Sequence, residues 1–329
     1  MIPYFPKQIA TKGIYLYLGA LTVISLVFFS HAMAIDFLIM GVMWVIGFFL
    51  LSNYCSKKWQ DLPQKKFVLN IFFIALGLRW AWAIFAYIYY IHKTGMPFEF
   101  SAGDSIWYYE ETMGNVHANL RDVWDYLFIH TDAISDSGYV FYLSLLSKLT
   151  GESSLLPRLI NCLFSAGTCV LIYLLAKCNI GEEGGRLAAI FSCFMPNFIF
   201  YCGTHLKEPL MIFLMVAFLE RADYLIRSRH YNVLNIALPV VLAISLFTFR
   251  TVLGAAAIFA FVTAIVFTNT SVIGKSKRYM LIGWIILAAA TLTGGTIMNE
   301  AEGLLEQKDI NQESKRIQQT ARGNQWAKY

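Results

Sequence analysis

The sequence predicts an all-α polytopic membrane protein of about nine transmembrane helices, with amphipathic interfacial helices in its first long outside loop. Three observations carry that prediction. Of the 329 residues, 57% are hydrophobic and only 14% charged, where a soluble domain carries about 25% charged residues. Several stretches longer than about 18 residues are almost free of charge, which is the length a helix needs to cross hydrocarbon. Lysine and arginine gather in alternate connecting segments, an asymmetry that fixes orientation in a bilayer. The net charge of +5 is too modest for a nucleic-acid surface, so the expected surroundings are the bilayer and not nucleic acid.

Taken in order, the N-terminal MIPYFPKQIATKGIYLYLG lacks the short apolar core and small-residue cleavage site of a secretory signal. The run at 14–30 is therefore read as a retained helix, followed by a second at 36–52. Further helices are expected at 67–91, 154–177, 185–202, 208–226, 232–249, 252–269 and 279–297. With the N-terminus cytoplasmic, the inside segments collect Lys7, Lys12, Lys57, Lys58, Lys65, Lys66, Lys177, Arg186, Arg227, Arg229, Lys275, Lys277 and Arg278. The short outside turns hold only Lys207 and Arg250. Residues 1–66 thus form two helices and a basic cytoplasmic loop, 227–297 three further helices, and 298–329 a polar outside tail that reads as the start of a truncated region.

The orientation leaves 92–153 as one long outside segment, well above ordinary loop length. It carries Glu99, Asp104, Glu110, Glu111, Asp122, Asp125, Asp132 and Asp136, interleaved with Trp107, Tyr108, Tyr109, Trp124, Tyr126, Tyr139 and Tyr142. That mixture suits short helices lying in the membrane interface, where aromatic rings prefer to sit. GYVFYLSLLSKL at 138–149 is too short to span and is expected along the outer surface.

Two stretches hold candidate chemistry. In AGDSIWYYEETMG a short helix is expected to start near Gly103, with Asp104 at its cap or in its first turn, where the macrodipole favours a carboxylate. Asp104, Tyr108 and Glu111 follow i, i+4, i+7 spacing and so share one face. A carboxylate partly desolvated among aromatic rings gains basicity and suits proton abstraction; an ordinary cap with solvated neighbours explains the same residues. The second stretch is CGTHLKEPLM at 202–211, a tight turn in which Pro209 fits the first helical position and Glu208 the cap. A helix N-terminus beside His205 and Lys207 is suited to phosphate, while Glu208 is placed to orient a hydroxyl or to support the base. A plain polar hairpin is the competing reading.

Arg79 lies about 18 Å into its helix, a depth at which arginine is costly and tends to be paired or functional. Arg158 follows Pro157 at a helix start, where snorkelling explains it cheaply. Both are candidate contacts for a lipid phosphate, with Arg250 a weaker third. The cysteines at 55, 162, 169, 178, 193 and 202 show no paired spacing and read as packing residues. The histidines show no zinc spacing, and no P-loop, dinucleotide fingerprint or nucleophile elbow is present.

The stretches GDSIWYY (103–109), SGYVFYLSLLSKLTGESSLLPRLIN (137–161) and GTHLKEPLMIF (203–213) resemble the polytopic GT-C glycosyltransferases. They look like the branch of protein O-mannosyltransferases, lipid A aminoarabinose transferases and lipopolysaccharide-core glycosyltransferases. The resemblance covers about residues 67–226 and implies a GT-C-like catalytic membrane module there. It implies transfer of a sugar from a polyprenyl-phosphate-type carrier to a glycan, lipid or protein acceptor on the outer face of a bacterial inner membrane. It also implies Asp104 as the catalytic carboxylate and Glu208 as the acidic position of the later turn, with Lys207 a phosphate contact. His205, Arg158, Arg79, Tyr108 and Glu111 complete the expected substrate-binding set. The chain departs from the family in having Ser105 where many members have a second acid, Gly138-Tyr139-Val140 for Gly-x-Pro, and two extra leading helices. No cofactor is implied with certainty, no metal ligand is assigned, and a divalent cation stays open because no carboxylate pair has compelling ligand spacing. A membrane transporter or lipid or polysaccharide flippase is the alternative, drawing on the same intramembrane arginines.

Overall fold

A computed structural model describes residues 7–27, 35–100, 102–129, 134–228 and 232–267, together with Tyr279 and Gly283. In chain order the helices are α1 (Lys7–Val27), α2 (Ile35–Lys58), α3 (Gln64–Thr94), α4 (Gly103–Gly114), α5 (Leu120–Phe128), α6 (Ser137–Thr150), α7 (Leu155–Phe194), α8 (Pro196–Phe200), α9 (Glu208–Arg227), α10 (Val233–Phe249) and α11 (Thr251–Phe267). A 3₁₀ turn, Tyr201–Gly203, sits between α8 and α9, and no strand occurs among the described residues. Three helices are long and apolar enough to cross a membrane, within Leu38–Lys58, Gln64–Thr94 and Leu155–Phe194. The apolar stretches Ala10–Ile24, Val233–Phe249 and Thr251–Ala264 are shorter. The helix expected at 279–297 and the tail 298–329 lie outside the described residues, apart from Tyr279 and Gly283.

The described chain forms two compact units. The first comprises α1–α3 and α7–α9 up to Leu225, and α3 and α7 form its spine. On α3 the buried residues Phe67, Ile71, Ala75, Arg79, Ala83, Ala86 and Tyr90 recur every three to four positions, one stripe of an α-helix. On α7 the facing stripe holds Cys162, Ser165, Ala166, Cys169 and Tyr173. Small side chains let two backbones approach closely, which is the main source of packing energy where lipid removes the hydrophobic drive between helices. Gly95, at φ 73, ends α3 by donating its N–H to Ile91 O at 3.0 Å.

The two helices expected at 154–177 and 185–202 both occur within Leu155–Phe194, parted at Gly181, where φ of 89 and ψ of 173 break the helical path. A charged cluster fixes the bend. Glu182 accepts from the Tyr173 hydroxyl at 2.7 Å, from Arg186 Nε at 2.8 Å and pairs with Lys177 at 3.0 Å. Arg186 in turn donates to the Trp59 and Gln60 carbonyls, 3.0 Å each, and lies over the Phe67 ring. Arg186, one of the cations that set the expected orientation, thus also joins the loop after α2 to α7, and Lys177, another, donates to Gln64 at the start of α3 at 2.8 Å. The second of the expected helices stops early, at Phe194, because the residue before Pro196 is driven to an extended conformation.

The second unit comprises α4, α5, α6, α10 and α11. The long loop therefore folds into three short helices, as the mixture of acids and aromatics predicted. Helix α5 buries Val123 and Leu127 and leaves Trp124 and Tyr126 exposed, while Trp124 and Phe128 pack on Phe141 of α6. Lys148 on α6 donates to the Val116 and Ala118 carbonyls in the connection between α4 and α5. Gly138 on α6 lies so close to α10 that an added Cβ would fall 2.2 Å from Thr248 Oγ1.

Candidate functional site

In the first unit the site is the turn from Tyr201 to Glu208. The turn leaves α8 through the 3₁₀ segment and is pinned from two helices. Trp82 Nε1 on α3 donates to Phe200 O at 3.1 Å, and Gly203 packs directly on Trp82 and Ala86. From α7, Arg158 donates to Gly203 O at 3.1 Å and to Pro97 O, while Asn161 Nδ2 reaches Leu206 O at 3.5 Å. The Arg158 guanidinium also lies over the rings of Tyr87, at 5.6 Å, and Phe98, at 5.7 Å. These contacts make the arginine at the head of α7 a clamp on the turn.

Helix α9 starts at Glu208, the start of the expected range, but its cap is not Glu208. Lys207 O accepts the first helical bond, from Met211 N at 2.9 Å, so Lys207 holds the cap position and Glu208 the first turn. An acid in the first turn interacts favourably with the macrodipole, and a lysine at the cap does not. Even so, Lys207 is 5% exposed, His205 2% and Arg158 0%. Three basic side chains therefore lie buried around one turn. His205 packs edge-on to Phe98, and its pKa is lowered from 6.5 to about 3, first by burial and then by the charge of Arg158, against an opposing hydrogen bond at Ser154. The imidazole is neutral at physiological pH, which leaves the positive charge with Arg158 and Lys207. The turn thus carries two buried cations beside the Glu208 carboxylate that opens α9.

Arg79 is placed differently. It is fully buried, and its guanidinium is enclosed by protein acceptors: Ser165 Oγ at 2.8 Å, Ala75 O at 3.1 Å, Cys193 O at 3.2 Å, Ser192 O at 3.1 Å and Cys169 Sγ at 3.4 Å. The side chain closes the end of α7 over α3 and spends its donors doing so. Its role is structural, in contrast to the lipid-phosphate contact expected from its depth.

In the second unit, α4 starts at Gly103 and Asp104 stands in its first turn, as expected. Its surroundings are wetter than expected, because Asp104 is exposed. The buried stripe of α4 is Ser105, Tyr108 and Thr112, so Asp104 and Glu111 flank that stripe rather than share it. Tyr108 is 3% exposed and meets Tyr139 edge-on at 4.9 Å, which makes it the anchor of α4 on α6. The Tyr126 hydroxyl is raised in pKa, first by the charge of Glu111 and then by hydrogen bonding to it, so Glu111 ties α5 to α4. Glu99, not singled out by its sequence context, accepts the Ser105 hydroxyl just ahead of α4. Its position six residues before Ser105 on an irregular segment has no periodic signal.

Tyr87 and Phe98, which flank Arg158, were also hidden in runs of aromatics. Among the described residues no three His, Cys, Asp or Glu side chains gather as a ligand set for the divalent cation left open by the sequence. Comparisons with protein-family models, with curated proteins and with solved structures give no match to this chain.

Proposed function

We propose that the protein is a membrane glycosyltransferase that moves a sugar from a polyprenyl-phosphate-type lipid carrier to a glycan, lipid or protein acceptor on the non-cytoplasmic face. The observation that carries the reading is the buried cationic turn opening α9, where Lys207 caps the helix and Arg158 holds the turn. The resemblance of 103–109, 137–161 and 203–213 to GT-C enzymes supports the same reading. So does the exposed aspartate in the first turn of α4, at the head of the loop where that family carries its catalytic acid. In this reading the membrane part completes about nine spans, with the N-terminus cytoplasmic and the site on the outer side of a bacterial inner membrane.

The chemistry is a displacement at the anomeric carbon. Asp104, as carboxylate, takes the proton of the acceptor hydroxyl; the acceptor oxygen bonds to the anomeric carbon as the bond to the carrier phosphate breaks. The electron pair leaves on the phosphate, whose charge Lys207 and the positive end of the α9 dipole stabilise. Glu208 orients a sugar hydroxyl. Arg158 acts as a positioning residue, since its guanidinium donates to Gly203 O and Pro97 O. The transporter reading drew on intramembrane arginines, and Arg79 is enclosed by internal acceptors, which removes its main motive.

The test is transfer from a radiolabelled polyprenyl-phosphate sugar in proteoliposomes. Asp104→Asn is expected to abolish transfer and Lys207→Met to cut kcat by about a hundredfold, the scale of losing one stabilising group. Both variants should elute and melt as the parent does. Full transfer by Asp104→Asn would sink the assignment.

A further inference from the structure

Two cavities open beside α3 in the first unit. One, of about 460 Å³, is walled by Tyr17, Leu21, Gly41, Trp44, Trp82 and Phe200, among others. The other, of about 230 Å³, is walled by Trp82, Phe85, Ala86, Tyr89, Tyr90 and Lys93. They share Met40 and Trp82, so they form one slot between the α1–α2 pair and α3. Each volume is near the size of ordinary small-ligand sites, about 300–1,000 Å³. The walls are mostly apolar: Trp44 meets Trp82 edge-on at 4.7 Å, and Trp82, Phe85 and Tyr89 follow one another up α3 with ring separations of 5.5 and 5.8 Å.

Where the slot ends is informative. From Trp82 to Lys93 is about 16 Å along the helix, and the full α3 is about 46 Å long against a hydrocarbon core of about 30 Å. Lys93, in the last turn of α3, therefore stands at a membrane surface while Trp82 lies well inside. Lys93 is exposed and forms no ion pair among the described residues. A mostly apolar slot reaching into the membrane and ending at a lysine is complementary to an apolar chain under an anionic head. At 100° per residue, the wall residues 82, 85, 86, 89 and 93 lie on a different face of α3 from Tyr87, the ring that carries Arg158. The slot meets the cationic turn only through Trp82 and Ala86, on which Gly203 packs, and through Phe200, whose carbonyl accepts from Trp82.

We propose that this slot is a binding site for an anionic glycerophospholipid, with one acyl chain between α1–α2 and α3 and its phosphate at Lys93. The α1–α2 pair supplies half of the wall, and the bound lipid acts as the filler that completes the packing of α2 on α3.

The full chain, purified in mild detergent and exchanged with defined lipid, tests this by mass spectrometry of retained lipid. We expect about one phosphatidylglycerol per chain to survive washing that strips phosphatidylcholine, a preference of at least tenfold. Lys93→Glu should abolish the preference, and Gly41→Trp, which fills the slot beside Tyr17, should abolish retention of either lipid. Should Gly41→Trp misfold, quenching of tryptophan fluorescence by brominated acyl chains decides. Brominated phosphatidylglycerol should quench more than brominated phosphatidylcholine at equal bulk fraction, and Trp82→Phe should remove most of the difference. Equal retention of both lipids, an unchanged Lys93→Glu variant, or displacement of phosphatidylglycerol by substoichiometric polyprenyl phosphate would each overturn the proposal. Loss of sugar transfer is not among the readouts, so the lipid site and the transferase reading fail separately.

Discussion

Arg158, in the first turn of α7, donates to the carbonyl of Gly203, 45 residues later, at 3.1 Å. That bond joins the head of one helix to the turn that starts another, and it makes the geometry around Lys207 depend on a residue two helices away. Lysine cannot replace this arginine: it lacks the planar fork that serves the Gly203 and Pro97 carbonyls together while lying over Tyr87 and Phe98. Arg158→Lys is therefore expected to lose about 2 kcal/mol, since a buried carbonyl left without its donor costs about 1–3 kcal/mol. A lower midpoint in a detergent thermal melt, with the charge retained, is the expected result. An unchanged midpoint would show that the clamp is dispensable.

Arg79 separates a structural arginine from a substrate contact. Arg79→Met should destabilise by about 3 kcal/mol or more, because the carbonyls of Ser192 and Cys193 lose their charged donor at the end of α7. Whatever folded fraction survives should keep its KM for a polyprenyl-phosphate sugar. A tenfold rise in KM at normal stability would instead return Arg79 to the phosphate.

The contrast between these two arginines marks how far the sequence could be read. Depth in a helix flagged Arg79 as costly, but its acceptors lie on the last turn of α7, over a hundred residues away, where Pro196 stops the helix and frees carbonyls. Nothing local announces that meeting. By contrast, the starts of α4 and α9 were legible to within a residue, because acids, glycine and proline act on helix ends over short range. The face of α4 was misjudged by one position. Asp104, Tyr108 and Glu111 share helical spacing, yet packing against Tyr139 selected Ser105, Tyr108 and Thr112 for the interior. Periodicity gives a stripe, and only the partner element fixes its phase.

Gly203 should not tolerate a side chain. A Cβ there would stand 2.7 Å from Trp82 Nε1 and 2.8 Å from Ala86 Cβ, both on α3. Gly203→Ala must push the turn off α3 and weaken its bond from Arg158, at a cost of about 1–3 kcal/mol. Ala86→Gly removes one of the two obstacles. The double variant is expected to recover part of the lost melting temperature despite the cost of about 1 kcal/mol of glycine in a helix. Additive losses in the double variant would count against the steric account.

His205 should make stability fall in acid. Its pKa is about 3 in the folded chain, against an ordinary 6.5 when the ring is in water. Below pH 6.5 the unfolded chain takes up a proton that the folded chain refuses, so stability rises with pH across the interval from about 3 to 6.5. At 1.36 kcal/mol per unit, the loss between pH 8 and pH 5 comes to about 2 kcal/mol from this ring alone. Carboxylates elsewhere add their own slope, so the comparison is with His205→Gln, which fills a similar volume and does not titrate. In melts at pH 8, 6.5 and 5, the parent should lose its advantage over the variant as pH falls, most steeply below 6.5. A constant difference between the two at all three values would mean that the ring charges in place. Burial against Phe98 and the Arg158 charge would then fail to keep it neutral.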